Sequence, residues 1–223
     1  MPGITRYGYR DAISGFFEFP TDNARRILPR GFEPVEPHHG TSILAITVFD
    51  FDESEVGSYG EVVYAVVVPP YVTEGRPLPK SAMFPWQVAT TTAAARRHAI
   101  ERWHLPHWMD DVQVSFDRQP GRTTARVTAE GAPALELTIT DYSWAPVSHL
   151  YQSFQKDDSG SYLCNIVFQG EKSEHEEEAG SVVLYDTPFN KDVVISEVYE
   201  RPFRELWMRS GCQLFDPLLT MSR

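Results

Sequence analysis

Apolar and polar positions alternate along much of this chain, and a period of two predicts strands. Residues 14–19 alternate enough for one strand, after which Thr21 or Asp22 caps a short helix through Leu28, ended by Pro29 and Gly31. Residues 42–51 and 61–68 are rich in Val, Ile, Tyr and Phe and read as strands joined by an acidic turn, residues 52–60. A Pro-rich loop at 73–81 leads to another strand at 84–90. Residues 91–103 break the alternation: they are rich in Ala and Arg, lack Gly and Pro, and predict the main helix. Strands at 111–116, 124–128 and 135–140, separated by Pro120-Gly121 and Gly131-Ala132-Pro133, predict consecutive hairpins. Further strand patterns lie at 148–154, 162–168 and 181–185; residues 191–198 read as a strand or as the approach to a short C-terminal helix at 201–209. The charged run 171–178 predicts a solvated hairpin tip. The expected class is α+β, mostly antiparallel β: a curved sheet or barrel with one main helix, in one domain spanning 1–223.

Composition narrows the partners. The 223 residues carry 31 acidic and 20 basic side chains, a formal charge of −11. That sign disfavours phosphate backbones and anionic lipid, so neither nucleic acid nor a membrane is expected as partner. No apolar run reaches the ~18 residues that would span a bilayer, and residues 1–10 hold no apolar core of a signal peptide; the cytoplasm is the expected location. Cys164 and Cys212, far apart in sequence, read as two reduced thiols.

Several chemistries find no footing. There is no Gly-x-Ser-x-Gly elbow, since Gly57-Ser58-Tyr59-Gly60 spaces its serine wrongly. Phosphate-loop and dinucleotide fingerprints are missing too, so no cofactor is expected. His98, His104 and His107 lie within ten residues, but on one helix the first two point roughly 240° apart at ~3.6 residues per turn. With no His-Glu-x-x-His pair or Cys cluster beside them, no metal is expected, and hydrogen-bonded or surface histidines are the plainer reading.

Glu61 heads an apolar strand straight after Gly60. Its carboxylate either faces water at the strand end or points into the sheet's cavity, where burial would raise its pKa and suit it to acid–base work. Arg10 is either a surface residue or an inward clamp for a carboxylate.

Three segments together resemble the acetoacetate decarboxylase-like superfamily over about residues 5–200. They are Arg10 with the following strand and Ala24-Arg25-Arg26-Ile27-Leu28-Pro29; Gly57-Ser58-Tyr59-Gly60-Glu61, similar to a Gly-x-Tyr-x-Glu motif; and Glu101-Arg102-Trp103-His104-Leu105-Pro106-His107, similar to a helix ending in an aromatic-Pro-Lys elbow. The resemblance implies a cone-like antiparallel barrel around a buried pocket, usually within a homo-oligomer. It carries over Arg10 and Glu61, and it sets His107 at the position of the Schiff-base lysine, with Trp108 at that lysine's cationic neighbour. A second acidic position falls at Ile46. Imidazole cannot form the imine, so the expectation is an enzyme of lyase type acting without a Schiff base on a small keto, enol or unsaturated acid or lactone. Dehydration, tautomerisation, cyclisation and ring opening all fit. In that reading Arg10, Glu61 and His107 are catalytic, and Arg10, Tyr59 and Trp108 bind substrate. The alternatives are an inactive module that binds a small acid, and a structural β-protein. Lys80 also follows a proline, but in a loop, which makes it a poor replacement for the missing lysine.

Overall fold

The computed structural model describes residues 3–221. Strand β1 (Thr5–Pro20) runs into helix α1 (Thr21–Ile27), followed by β2 (Thr41–Glu53), β3 (Tyr59–Val68) and β4 (Ser81–Thr90). Helix α2 (Ala93–Trp103) precedes a meander of β5 (Val112–Gln119), β6 (Arg122–Ala129) and β7 (Ala132–Thr140). The chain then forms β8 (Ala145–Asp157), β9 (Gly160–His175), β10 (Ser181–Leu184), β11 (Arg204–Phe215) and β12 (Leu219–Thr220). Neighbours run β11-β1-β2-β3-β4-β8-β9, and pairing of β11 with β9 closes these seven strands into a barrel. All its pairs are antiparallel except β4 with β8. A second sheet, β10-β7-β6-β5, packs against the barrel wall.

Both faces of the wall are covered, which is why several strands read as nearly continuous apolar runs. On β1, Ala12, Ser14 and Phe16 face the barrel interior, while Ile13 and Phe17 join Leu135, Leu137 and Ile139 of the second sheet in a separate core. Gly60 lets the two sheets meet, because a Cβ there would fall 2.7 Å from Val114 Cβ on β5. Just before it, Gly57 turns with φ +87°, in the left-handed region that glycine adopts without strain. Thr92 caps α2 through its hydroxyl to the Ala95 N–H, and His104 ends the helix in the left-handed conformation. Among the described residues, no helix is long and apolar enough to cross a membrane.

Several expectations need correction. Neither Thr21 nor Asp22 caps α1, which starts after Pro20 with no side-chain cap. The C-terminal helix at 201–209 is instead the start of β11. Its alternation decides this: Leu206 and Met208 face the barrel interior, while Trp207 packs into the inter-sheet core, so period two buries both sets. The run 171–178 is no simple solvated tip either, since β9 extends through His175 with Ser173 fully buried. Beside it lies Glu205, with 0% exposure. One carboxylate oxygen accepts the Ala179 and Gly180 N–H groups, and the other accepts the N–H and hydroxyl of Thr140. That knot ties the β9–β10 connection and the end of β7 to β11.

Candidate functional site

The barrel encloses a cavity of about 100 Å³. Phe16, Phe49, Ile166, Phe168, Leu206 and Met208 make much of its wall. Among the described residues lining it, Glu61 is the one carboxyl, and there is no Lys, Arg or His. Glu61 pairs with Phe49 on one side and Thr90 on the other, near the start of β3, so the strand register aims it inward. Part of its surface is open to the cavity, and protein surrounds the rest. Burial pushes its pKa up to about 8, with no hydrogen bond or nearby cation offsetting the effect. The carboxyl is therefore mostly protonated at neutral pH, yet close enough to its pKa to give up or take back a proton.

Glu61 also borders a smaller chamber of about 20 Å³, lined by Tyr7, Tyr59, His98 and Trp103 among others. That is room for about one water. Here Trp103 Nε1 donates to the Tyr7 hydroxyl at 2.6 Å, and Tyr7 Oη lies 2.6 Å from His98 Nε2. Tyr59 packs on Phe51 with the ring centres 4.9 Å apart and the planes tilted and, like Tyr7, has its pKa raised by burial first and by the nearby Glu61 second or third. Tyr59 thus belongs to the surroundings of Glu61, on this chamber rather than on the main cavity.

The other expected site residues lie elsewhere. Arg10 is skipped in the pairing of β1 with both neighbours, so a bulge turns it outward. Its side chain is 60% exposed and pairs with Asp50 at 3.1 Å. Asp50 also accepts from Arg118, which bonds the buried Asp11 at 2.6 Å. Arg10 is not a wall residue.

His107 lies near Glu61 but off the cavity wall. It bridges to Val88 beside β4, while Leu105, two residues earlier, lines both chambers. His107 Nδ1 donates to the Trp108 carbonyl, which leaves Nε2 as acceptor for the Thr90 hydroxyl at 3.0 Å. Thr90 is in turn the cross-strand partner of Glu61. Burial lowers the His107 pKa to about 4, the Trp108 carbonyl opposing the shift and Arg96 adding to it. Its only lone pair is engaged by Thr90. Trp108 packs on Phe189 at 5.3 Å in the core outside the barrel. Ile46 also points to that core, and its neighbour Thr47 lines the cavity instead. His98 and His104 are engaged separately, His104 with Asp157 at 2.6 Å, and no metal-ligand cluster forms among the described residues.

Sequence reasoning missed the polar atoms facing the cavity. The Tyr151 hydroxyl and Gln155 Oε1 are buried there without a partner, and Ser14 and Thr47 bond each other at 2.8 Å. The alternation of β8 was the available signal, since Tyr151, Ser153 and Gln155 share one face.

No protein-family model matches this sequence, and no curated protein matches it. Solved structures do. The acetoacetate decarboxylase of Legionella pneumophila is 14% identical, with a TM-score of 0.66 over 99% of this chain and 88% of that one. The enduracididine biosynthesis enzyme MppR, complexed with pyruvate, is 14% identical at TM-score 0.64, covering 99% and 91%. An acetoacetate decarboxylase-like enzyme from Sphingomonas wittichii RW1 is 11% identical at TM-score 0.63, covering 99% and 93%. In fold, this chain is an acetoacetate decarboxylase-like barrel.

Proposed function

We propose that this protein is an enzyme that uses Glu61 as a single general acid–base on a small carbonyl or unsaturated acid held inside the barrel, without an imine. The observation that carries the reading is Glu61 itself: the one carboxyl among the described wall residues, unpaired, with a pKa of about 8. A group poised near the working pH can take a proton from carbon and return it to oxygen, or the reverse. Tautomerisation and dehydration need only that. No amine stands beside Glu61 in the cavity lining, and the interior lysines, Lys80 and Lys172, are bonded to Glu174 away from it. The fold neighbours add support by analogy: one is a decarboxylase, and another is complexed with the small keto acid pyruvate.

The test is deuterium incorporation at the α-carbon of a panel of ketones and keto acids in D2O, followed by proton NMR. Wild-type protein should accelerate exchange for at least one member, and Glu61→Gln should lower that rate by ~10²–10⁴, the usual worth of a positioned acid–base group. Equal rates for wild type and variant would remove Glu61 from the chemistry. The second reading, a binding module, would then stand on the mostly apolar wall and on His107 being turned to Thr90.

A further inference from the structure

Four polar side chains gather on the interior face of the barrel, away from Glu61. On β9, Ile166 and Phe168 line the cavity, and Lys172 and Glu174 continue the same alternating face. Their partners on β11, Met208 and Leu206, are also wall residues, which fixes that orientation. Lys172 Nζ donates to Glu174 Oε2 at 2.6 Å and lies 3.3 Å from His149 Nε2. Lys80, at the head of β4, reaches the same Glu174 oxygen, and its backbone N–H bonds the Leu150 carbonyl at 2.7 Å. All three charged side chains are at least three-quarters shielded from solvent.

The charges do not balance. Two lysines share one carboxylate in a protein whose formal charge is −11, and burial lowers the Lys80 pKa, with its bond to Glu174 opposing the shift and Lys172 adding to it, so the second ammonium is unmatched. Arg204, the next cation along the interior of β11, is already paired with Glu176 at 3.0 Å. His149 adds no charge at neutral pH, since burial and then the two lysines hold its pKa below the ordinary histidine value. Two ammonium groups carry six N–H donors, and the three contacts here use three of them. An independent feature sits next to the cluster: Tyr151, 6% exposed, lines the cavity with a hydroxyl that has no partner. Tyr151 pairs with Ser81, the residue after Lys80, and feels the charge of Glu174. An orphaned buried hydroxyl beside surplus ammonium donors is a receptor lacking its acceptor.

We infer that Lys80, Lys172 and Tyr151 form a subsite for the carboxylate of a ligand whose apolar body fills the cavity toward Glu61. The inference rests on the proposed function only in assigning Glu61 the far end; the subsite itself stands on the cluster. It also sets the ligand's length. Ser81 opens β4 beside Tyr151, and Thr90 closes it opposite Glu61, so the subsite and Glu61 stand toward opposite ends of that strand. An acid of two or three carbons cannot touch both ends. The fitting class is a monocarboxylic acid with a longer aliphatic or aryl body, which the Phe- and Met-lined wall would accommodate.

Calorimetry with matched pairs tests this: hexanoate against hexanamide, and 3-phenylpropionate against its amide, at neutral pH. Each acid should bind at least ~10-fold more tightly than its amide, a preference that falls as salt rises. Lys172→Met should abolish the preference, and Lys172→Arg should keep most of it. Tyr151→Phe should weaken the acids several-fold. Glu174→Gln is the sharper variant: removing the competing carboxylate should tighten acid binding several-fold, whereas a purely structural cluster predicts no gain. Glu61→Gln should leave the preference intact, which separates this subsite from the proposed chemistry. Acids and amides binding alike, absence of binding by any of the four up to ~10 mM, or no gain in Glu174→Gln would each overturn the inference.

Discussion

Replacing Glu61 by Gln should make the protein more stable in alkaline solution, and the size of the effect follows from the geometry. In the folded state burial sets the Glu61 pKa at about 8, against an ordinary value of 4.5. Between those two values the folded protein keeps the proton and the unfolded chain releases it. Stability associated with Glu61 is therefore complete below about pH 4.5, falls by ~1.4 kcal/mol per pH unit above it, and levels off past about pH 8. The total is roughly 5 kcal/mol, a ceiling because the cavity-facing part of the carboxyl keeps some hydration. Gln has the shape of the protonated acid and does not titrate. Urea unfolding of both proteins from pH 5 to pH 9 at fixed ionic strength isolates the effect, since every other titrating group cancels in the difference. The advantage of Glu61→Gln should grow by up to ~4 kcal/mol across that range. A difference that stays constant with pH would mean that Glu61 is hydrated and ordinary, and the acid–base reading would fail with it.

Three other outcomes follow from the same structure. Arg10→Ala should cost under ~1 kcal/mol, as exposed ion pairs usually do, whereas Arg118→Ala should cost roughly 2–4 kcal/mol because it strips the buried Asp11 of its cation; chemical denaturation compares them directly. His107→Ala should lower stability by about 1–3 kcal/mol through the loss of its bond to Thr90, with exchange activity changed far less than by Glu61→Gln. The folded His107 pKa lies below the ordinary one, so wild-type stability should fall as pH drops from 6.5 toward 4, and that slope should weaken in the variant. Glu205→Ala should be the most damaging of these changes, on the order of 3–5 kcal/mol, because it orphans four donors at once; thermal unfolding reads it.

Alternation made most of the barrel legible. The strands expected at 42–51, 61–68, 84–90 and 148–154 all lie within observed strands, and the helix expected at 91–103 starts two residues later because Thr92 is its cap. The 201–209 segment was misread because Arg204, Glu205 and Arg209 interrupt its apolar set, and only the two-sided packing of β11 reveals which residues are buried. Site residues were harder. Glu61 was legible because a long regular strand follows it and fixes its direction. Arg10 and His107 sit where regularity breaks, at a bulge and at a bridge after a left-handed helix end, and one residue of slippage there reverses which side chain meets the cavity. The Lys80–Lys172–Glu174 cluster was invisible because its members are 92 and 94 residues apart in sequence, joined by barrel closure rather than by any local motif.

The elbow after α2 has a consequence for redesign. Leu105, rather than His107, presents its side chain to both chambers and shares them with Glu61. Anyone wishing to install an amine nucleophile in this scaffold should therefore substitute position 105. A lysine there would lie in an apolar enclosure beside a carboxyl that could stabilise its ammonium, whereas the same lysine at 107 would be held among Thr90, Val88 and the Trp108 carbonyl, out of a ligand's reach. Transplanting a reaction between barrels this divergent is a matter of matching wall positions in space, and sequence columns that look equivalent can be two residues out of step.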